Sequence, residues 1–257
     1  MRRTLLPALL FFAITAAAFA GTYTNEDIQA MKRRYEPPRP ALGPAFLQAL
    51  VKERWVEPPV FQRLLPFADW ENEYRAYFRR HVGEERIDLD PRVLVMHYTA
   101  TSTFEGAWRG FYRGCNMSAG QGTVFGHPSV HYMIDRDGTI YQLFPADRRC
   151  TGAYGVNHVA LQIELVAANE ADLVSNPALL AAGFRLARSL VARHRIPLQK
   201  VYGHYEVSAG QGVVPEYLDL ADPVYPTSYP PASRRSDPGS AFMGWLRAYL
   251  RSSKQVD

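Results

Sequence analysis

Long apolar runs are scarce in this 257-residue chain, and the longest stands at its start. Leu5 to Phe19 is almost wholly apolar behind the basic pair Arg2 and Arg3, yet it falls short of the roughly 18 residues a spanning helix needs. It closes on Ala18-Phe19-Ala20 before Gly21, with small residues where signal peptidase reads them. Residues 1–20 therefore read as a signal peptide, with an uncleaved anchor as the alternative. The remainder is expected to be exported, periplasmic or secreted, with no stable membrane insertion after the leader is removed. No cysteine directly follows the run, so lipoprotein processing has no acceptor.

Cysteine is equally sparse. Cys115 and Cys150 are the only two, and neither lies in a CxxC arrangement. In an exported protein such a pair forms a disulfide more often than a metal site, so a Cys115–Cys150 bridge is expected, with two buried thiols as the alternative. Strong charge of one sign is missing too. Without Arg2 and Arg3 the 29 basic side chains fall to 27, against 25 acidic, a net charge of +2. That balance offers no concentrated basic face for nucleic acid. There is no internal repeat, no low-complexity tract and no local zinc motif such as HExxH.

What is present divides near residue 90. Residues 21–90 carry Asn25-Glu26-Asp27 as a helix start, a Pro37-Pro38 break, helix-like stretches over 45–55 and 60–65, and aromatic and charged residues at near-helical spacing over 70–81. This reads as a helical N-terminal extension. From Arg92 the character changes. Val93-Leu94-Val95-Met96 is a continuous apolar run of the kind a doubly covered strand shows. Residues 130–134 and 139–144 flank Asp135-Arg136-Asp137-Gly138 as a β-hairpin. Residues 159–166 form another strand, broken in polarity only by Gln162 and Glu164, which share one face. Ser175-Asn176-Pro177 opens a helix that stops before Ile196-Pro197, Lys200 to Tyr202 ends in Gly203-His204, and a final helix spans 241–250. The expected fold is α/β: a central mixed β-sheet flanked by helices over 91–257, preceded by the extension.

Seven histidines are present. His81 and His194 lie in charged helical contexts and are expected to be solvated. His97, His131 and His204 lie in or at the end of apolar strands, where an imidazole must find a hydrogen-bonding group or a metal for its ring nitrogens. Glu164 is either part of a solvent-facing stripe or a carboxylate projecting into a cleft, where partial burial would raise its pKa enough to shuttle a proton.

Five segments in order resemble the type-2 N-acetylmuramoyl-L-alanine amidases of the amidase and peptidoglycan-recognition-protein superfamily. They are Val95-Met96-His97-Tyr98-Thr99, Ser129-Val130-His131-Tyr132 through Leu143, Asn157-His158-Val159 through Leu165, Val201-Tyr202-Gly203-His204, and Ser236-Asp237-Pro238-Gly239. The resemblance implies a Zn²⁺ cofactor on His97, His204 and Asp237, with a fourth position open for catalysis. It implies Glu164 as proton carrier, and Arg235 where relatives often carry an oxyanion-stabilising Lys. It also implies His131, Tyr154 and Asn157 as substrate-binding residues, Tyr154 standing near where relatives have a histidine. The substrate implied is peptidoglycan or muropeptide, with a non-catalytic recognition protein as the second reading. Asp222-Pro223 competes with Asp237 for the third ligand. Trp108, Phe111 and Tyr112 are candidates either for a groove or for core packing.

Overall fold

The computed structural model describes residues 44–53, 55–114, 127–218 and 235–253. The expected signal peptide and the expected helix start near Asn25 lie outside these residues, as do Cys115 and Asp222.

A six-stranded mixed sheet organises the chain, with strand order β1-β4-β3-β5-β2-β6. Its strands are β1 (Val60–Gln62), β2 (Val93–Tyr98), β3 (Tyr132–Ile134), β4 (Ile140–Gln142), β5 (Ala160–Leu165) and β6 (Val201–Gly203). The helices are α1 (Pro44–Lys52), α2 (Phe67–Val82), α3 (Phe104–Tyr112), α4 (Glu170–Val174), α5 (Pro177–His194), α6 (His204–Val207) and α7 (Ser240–Ser253). The β3–β4 hairpin is antiparallel; β5, β2 and β6 run parallel, and β3 joins β5 in the parallel sense.

β2 and β5 are central and buried, as their continuous apolar character requires. Alternate residues feed different cores. Leu94, Met96, Leu161, Ile163 and Leu165 pack with Leu180, Phe184, Phe242 and Leu246 of α5 and α7. The opposite face receives Met133 in a second cluster with Tyr74, Tyr77 and Phe78 of α2 and Phe104 and Phe111 of α3. Val93 and Val95 enter a third, with Ala153, Val159 and Val214. The long helix α5 begins as its sequence signals: the Asn176 side chain accepts the Leu179 N–H, and Pro177 opens the first turn. It ends with Arg195 in the left-handed region.

The structure departs from expectation at residues 60–65. Instead of a helix, Val60–Gln62 forms β1, which pairs in parallel with β4 at the sheet edge. Three residues carry too little periodicity to separate the two states, and here the free edge of β4 decides. Part of the extension is thus built into the sheet. His81, expected to be solvated, is buried beside the Tyr77 ring at 4.4 Å between centroids. The aromatic trio of α3 divides: Phe111 enters the core, whereas Trp108 stacks on exposed Tyr112.

Candidate metal centre and active site

Parallel strands bring their carboxyl ends to one edge, and open α/β sheets place their sites there. His97 is the penultimate residue of β2, next to Tyr98, and is in register with Glu164, the penultimate residue of β5. His204 follows β6 directly as the first residue of α6. Asp237 arrives from the segment preceding α7, whose course is tied to α6 by the Tyr205 N–H donating to the Asp237 carbonyl at 2.9 Å.

Three donor atoms converge. His97 Nδ1 lies 3.0 Å from His204 Nδ1 and 3.2 Å from Asp237 Oδ2, and His204 Nδ1 lies 3.1 Å from the same oxygen. Ligands on tetrahedral zinc, with bonds of about 2.0–2.1 Å, stand roughly 3.3–3.5 Å apart. The triangle is therefore close to one face of a zinc tetrahedron, and two nitrogens plus one carboxylate oxygen are a donor set zinc accepts. Burial pushes the His204 pKa down to about 4, with the neighbouring His97 adding to the fall and Asp237 opposing it, so the imidazole is neutral and ligand-ready. Burial alone would raise the Asp237 carboxyl, but the adjacent His204 and His97 imidazoles overcome it and hold the group well below its usual range.

Glu164 is 8% exposed, and its Oε2 atom has no hydrogen-bond partner. Burial drives its pKa well above the ordinary carboxylate value, the charge of Asp237 adds to the rise, and Arg235 opposes it. Such a carboxyl is disposed to hold and release a proton. Arg235 is exposed, its backbone N–H donates to Ser208 Oγ at 3.2 Å, and its charge also acts on His204.

A family model described as N-acetylmuramoyl-L-alanine amidase (Amidase_2) matches residues 88–240. The chain belongs to this family. The matched stretch contains all three donors, Glu164 and Arg235, but neither α1, β1 nor α2. One solved structure supports the fold, and others align less closely. The Staphylococcus aureus hydrolase AmiA, in complex with its ligand, aligns with a TM-score of 0.50 at 15% identity, over 84% of this chain and 93% of its own. A mutant endolysin from Bacillus subtilis aligns at 0.44 and 16%, over 75% and 98%. No match is found among curated proteins.

The residues expected to bind substrate in this amidase are placed differently. His131 is fully buried: Nε2–H donates to the Arg148 carbonyl at 2.8 Å, and Nδ1 accepts the Gln162 N–H at 3.1 Å. With both nitrogens engaged and no exposed surface, it braces β3 against β5. Asn157, 4% exposed, spends its amide on Ala153, Gln162 and Tyr77, so its role is also internal. Tyr154 is half-buried, edge-on to His81 and Tyr217. The expected Cys115–Cys150 bridge involves a residue outside the described ones. Cys150 itself is buried, with Sγ 3.3 Å from His131 Nδ1, and burial pushes its thiol pKa up.

Sequence reading missed Gln162, Glu170 and Glu206 as supports. Gln162 had a signal, being a carboxamide inside a buried strand on the face of Glu164. Glu206 Oε2 accepts the Gly203 N–H at 2.8 Å and an Arg247 N–H at 2.6 Å, fixing the turn that presents His204.

Proposed function

We propose that this chain is a zinc-dependent N-acetylmuramoyl-L-alanine amidase, exported by its leader, that hydrolyses the amide between N-acetylmuramic acid and L-alanine in peptidoglycan or muropeptides, in cell-wall lysis or turnover. The observation that carries the reading is the triangle of His97, His204 and Asp237 donors beside a buried Glu164 of raised pKa. Membership of the amidase family supplies the substrate class.

When bound, zinc supplies Lewis acidity to the scissile carbonyl and lowers the pKa of water to about 7. Glu164 takes the proton of the attacking water and delivers it to the L-alanine nitrogen as the carbonyl carbon–nitrogen bond breaks, leaving a lactyl carboxylate and a free stem-peptide amine. The elevated pKa suits both halves of that transfer. Arg235 places positive charge where the oxyanion develops. In the described residues no helix is long and apolar enough to cross a membrane.

The test is incubation of purified protein with defined muropeptides, with and without chelator, with product masses read. Release of intact stem peptide, lost on chelation and in Glu164→Ala, is expected. Cleavage that persists without metal would sink the zinc mechanism, and binding without turnover at full zinc occupancy would favour a recognition role.

A further inference from the structure

A buried polar chain runs from α2, outside the amidase-family match, to the metal centre. Its direction is fixed by one atom whose role has no ambiguity. The Ala153 backbone N–H meets the Asn157 side chain at 2.8 Å, and a backbone N–H only donates, so the Asn157 atom there is the carbonyl Oδ1. Gln162 approaches the same Oδ1 at 3.0 Å and must present its NH₂. Its Oε1 then faces His97 Nε2 at 3.1 Å and accepts, so Nε2 carries the ring hydrogen. In a neutral ring, the form that binds a metal, what remains on His97 is a bare Nδ1, the atom that points at His204 and Asp237. On the far side, the Asn157 NH₂ donates to the Tyr77 hydroxyl at 2.9 Å, which holds the amide from the other end.

Three facts indicate a built arrangement. Gln162 and Tyr77 are buried to 0% and 2% exposure, where an unpaired amide or hydroxyl is costly. Gly152 makes room: a Cβ there would stand 2.2 Å from Gln162 Oε1 and 2.9 Å from the Ser129 carbonyl. The Tyr77 ring is locked between Phe78 at 5.0 Å and His81 at 4.4 Å.

Resting on the zinc reading above, we propose that Tyr77, Asn157 and Gln162 are positioning residues that hold His97 in the Nε2–H tautomer, so that α2 presets the Nδ1 lone pair for zinc. In the alternative tautomer a hydrogen would occupy the ligand position and Gln162 Oε1 would face a second lone pair. Outer partners of metal-bound histidines typically contribute about 10- to 100-fold to affinity.

The experiment uses the full chain, stripped of metal, in wild-type, Gln162→Leu, Asn157→Leu, Asn157→Asp and Tyr77→Phe forms. One readout is the ¹⁵N shift pair of the His97 ring, which reports the tautomer without metal or turnover. The other is zinc affinity by competition with a chromophoric chelator. Wild type is expected as the Nε2–H form. Gln162→Leu and Asn157→Leu are expected to show mixed tautomers and zinc binding about 10- to 100-fold weaker. Tyr77→Phe moves in the same direction by a smaller factor. Asn157→Asp is expected to restore the wild-type pattern, because its carboxylate still accepts from Ala153 and Gln162 while Tyr77 donates to the other oxygen. An unchanged His97 tautomer with undiminished zinc affinity in the leucine variants overturns the proposal. Tyr77→Phe keeps the ring packing, so a leucine variant that fails to fold does not remove the comparison. A wild-type protein that binds no zinc refutes the preceding section, whereas the metal-free tautomer comparison still decides this one.

Discussion

Glu164 and His131 are prepared for opposite tasks. Both are buried polar side chains; Glu164 keeps an oxygen without a partner, whereas His131 has both nitrogens engaged. Glu164→Gln keeps the volume and abolishes titration. Turnover is expected to fall by about 10²- to 10⁴-fold with zinc content unchanged and a melting temperature equal or higher, because a costly buried ionisation is removed. Muropeptide assays, metal analysis and thermal melts on one preparation check all three; a variant retaining a tenth of wild-type turnover excludes Glu164 as proton carrier. His131 is held at about 4 by burial, below its ordinary 6.5. The unfolded chain therefore binds a proton that the native state refuses, and the stability this group contributes is full above about pH 6.5 and gone by about pH 4. Between pH 7 and 5 the loss is about 2 kcal/mol at about 1.4 kcal/mol per unit. His131→Gln should be less stable than wild type at pH 7 but show a shallower decline to pH 5 in denaturant melts.

At the scale of elements, the third donor depends on how α7 begins. Glu170, the first residue of α4, accepts the Ala241 N–H at 2.7 Å and so satisfies the start of α7 just beyond Asp237. Gly239 lies between them at φ +97, and a Cβ there would stand 2.0 Å from the Glu170 carboxyl carbon. Gly239→Ala is expected to cost about 1–3 kcal/mol and to weaken zinc binding, since relief requires Asp237 or Glu170 to move. Urea melts and a metal titration measure the two effects, and a variant with unchanged values in both contradicts this account. The same scale separates what was legible from what was not. β2, β5 and α5 were readable because a continuous apolar run and a capped amphipathic segment state their environment locally. β1 was not, because Val60-Phe61-Gln62 becomes a strand only through its pairing with β4.

For the whole molecule, the described residues between 55 and 87 are part of the fold they precede. Trp70, Tyr74, Tyr77 and Phe78 share a core with Met133 and Phe144 of the family-matched region, and the Asp88–Arg148 bridge continues the connection. A chain begun at residue 88 would expose that core and leave Asn157 without Tyr77. It is expected to be insoluble or to lose the cooperative melting of the intact protein; thermal melts followed by near-ultraviolet circular dichroism compare the two. By itself the sequence determined the α/β class and the main strands and helices, because strand burial and polar interruption are written in local pattern; that pattern left His97, His131 and His204 alike as strand histidines, and only the family resemblance singled out His97 and His204. Only the tertiary structure placed Asn157 and His131 in the interior and brought Tyr77 of α2 onto Asn157. Those outcomes depend on which atoms meet across distant segments, such as Tyr77 with Asn157, and hydrogen-bond direction there is set by partners that no local pattern specifies.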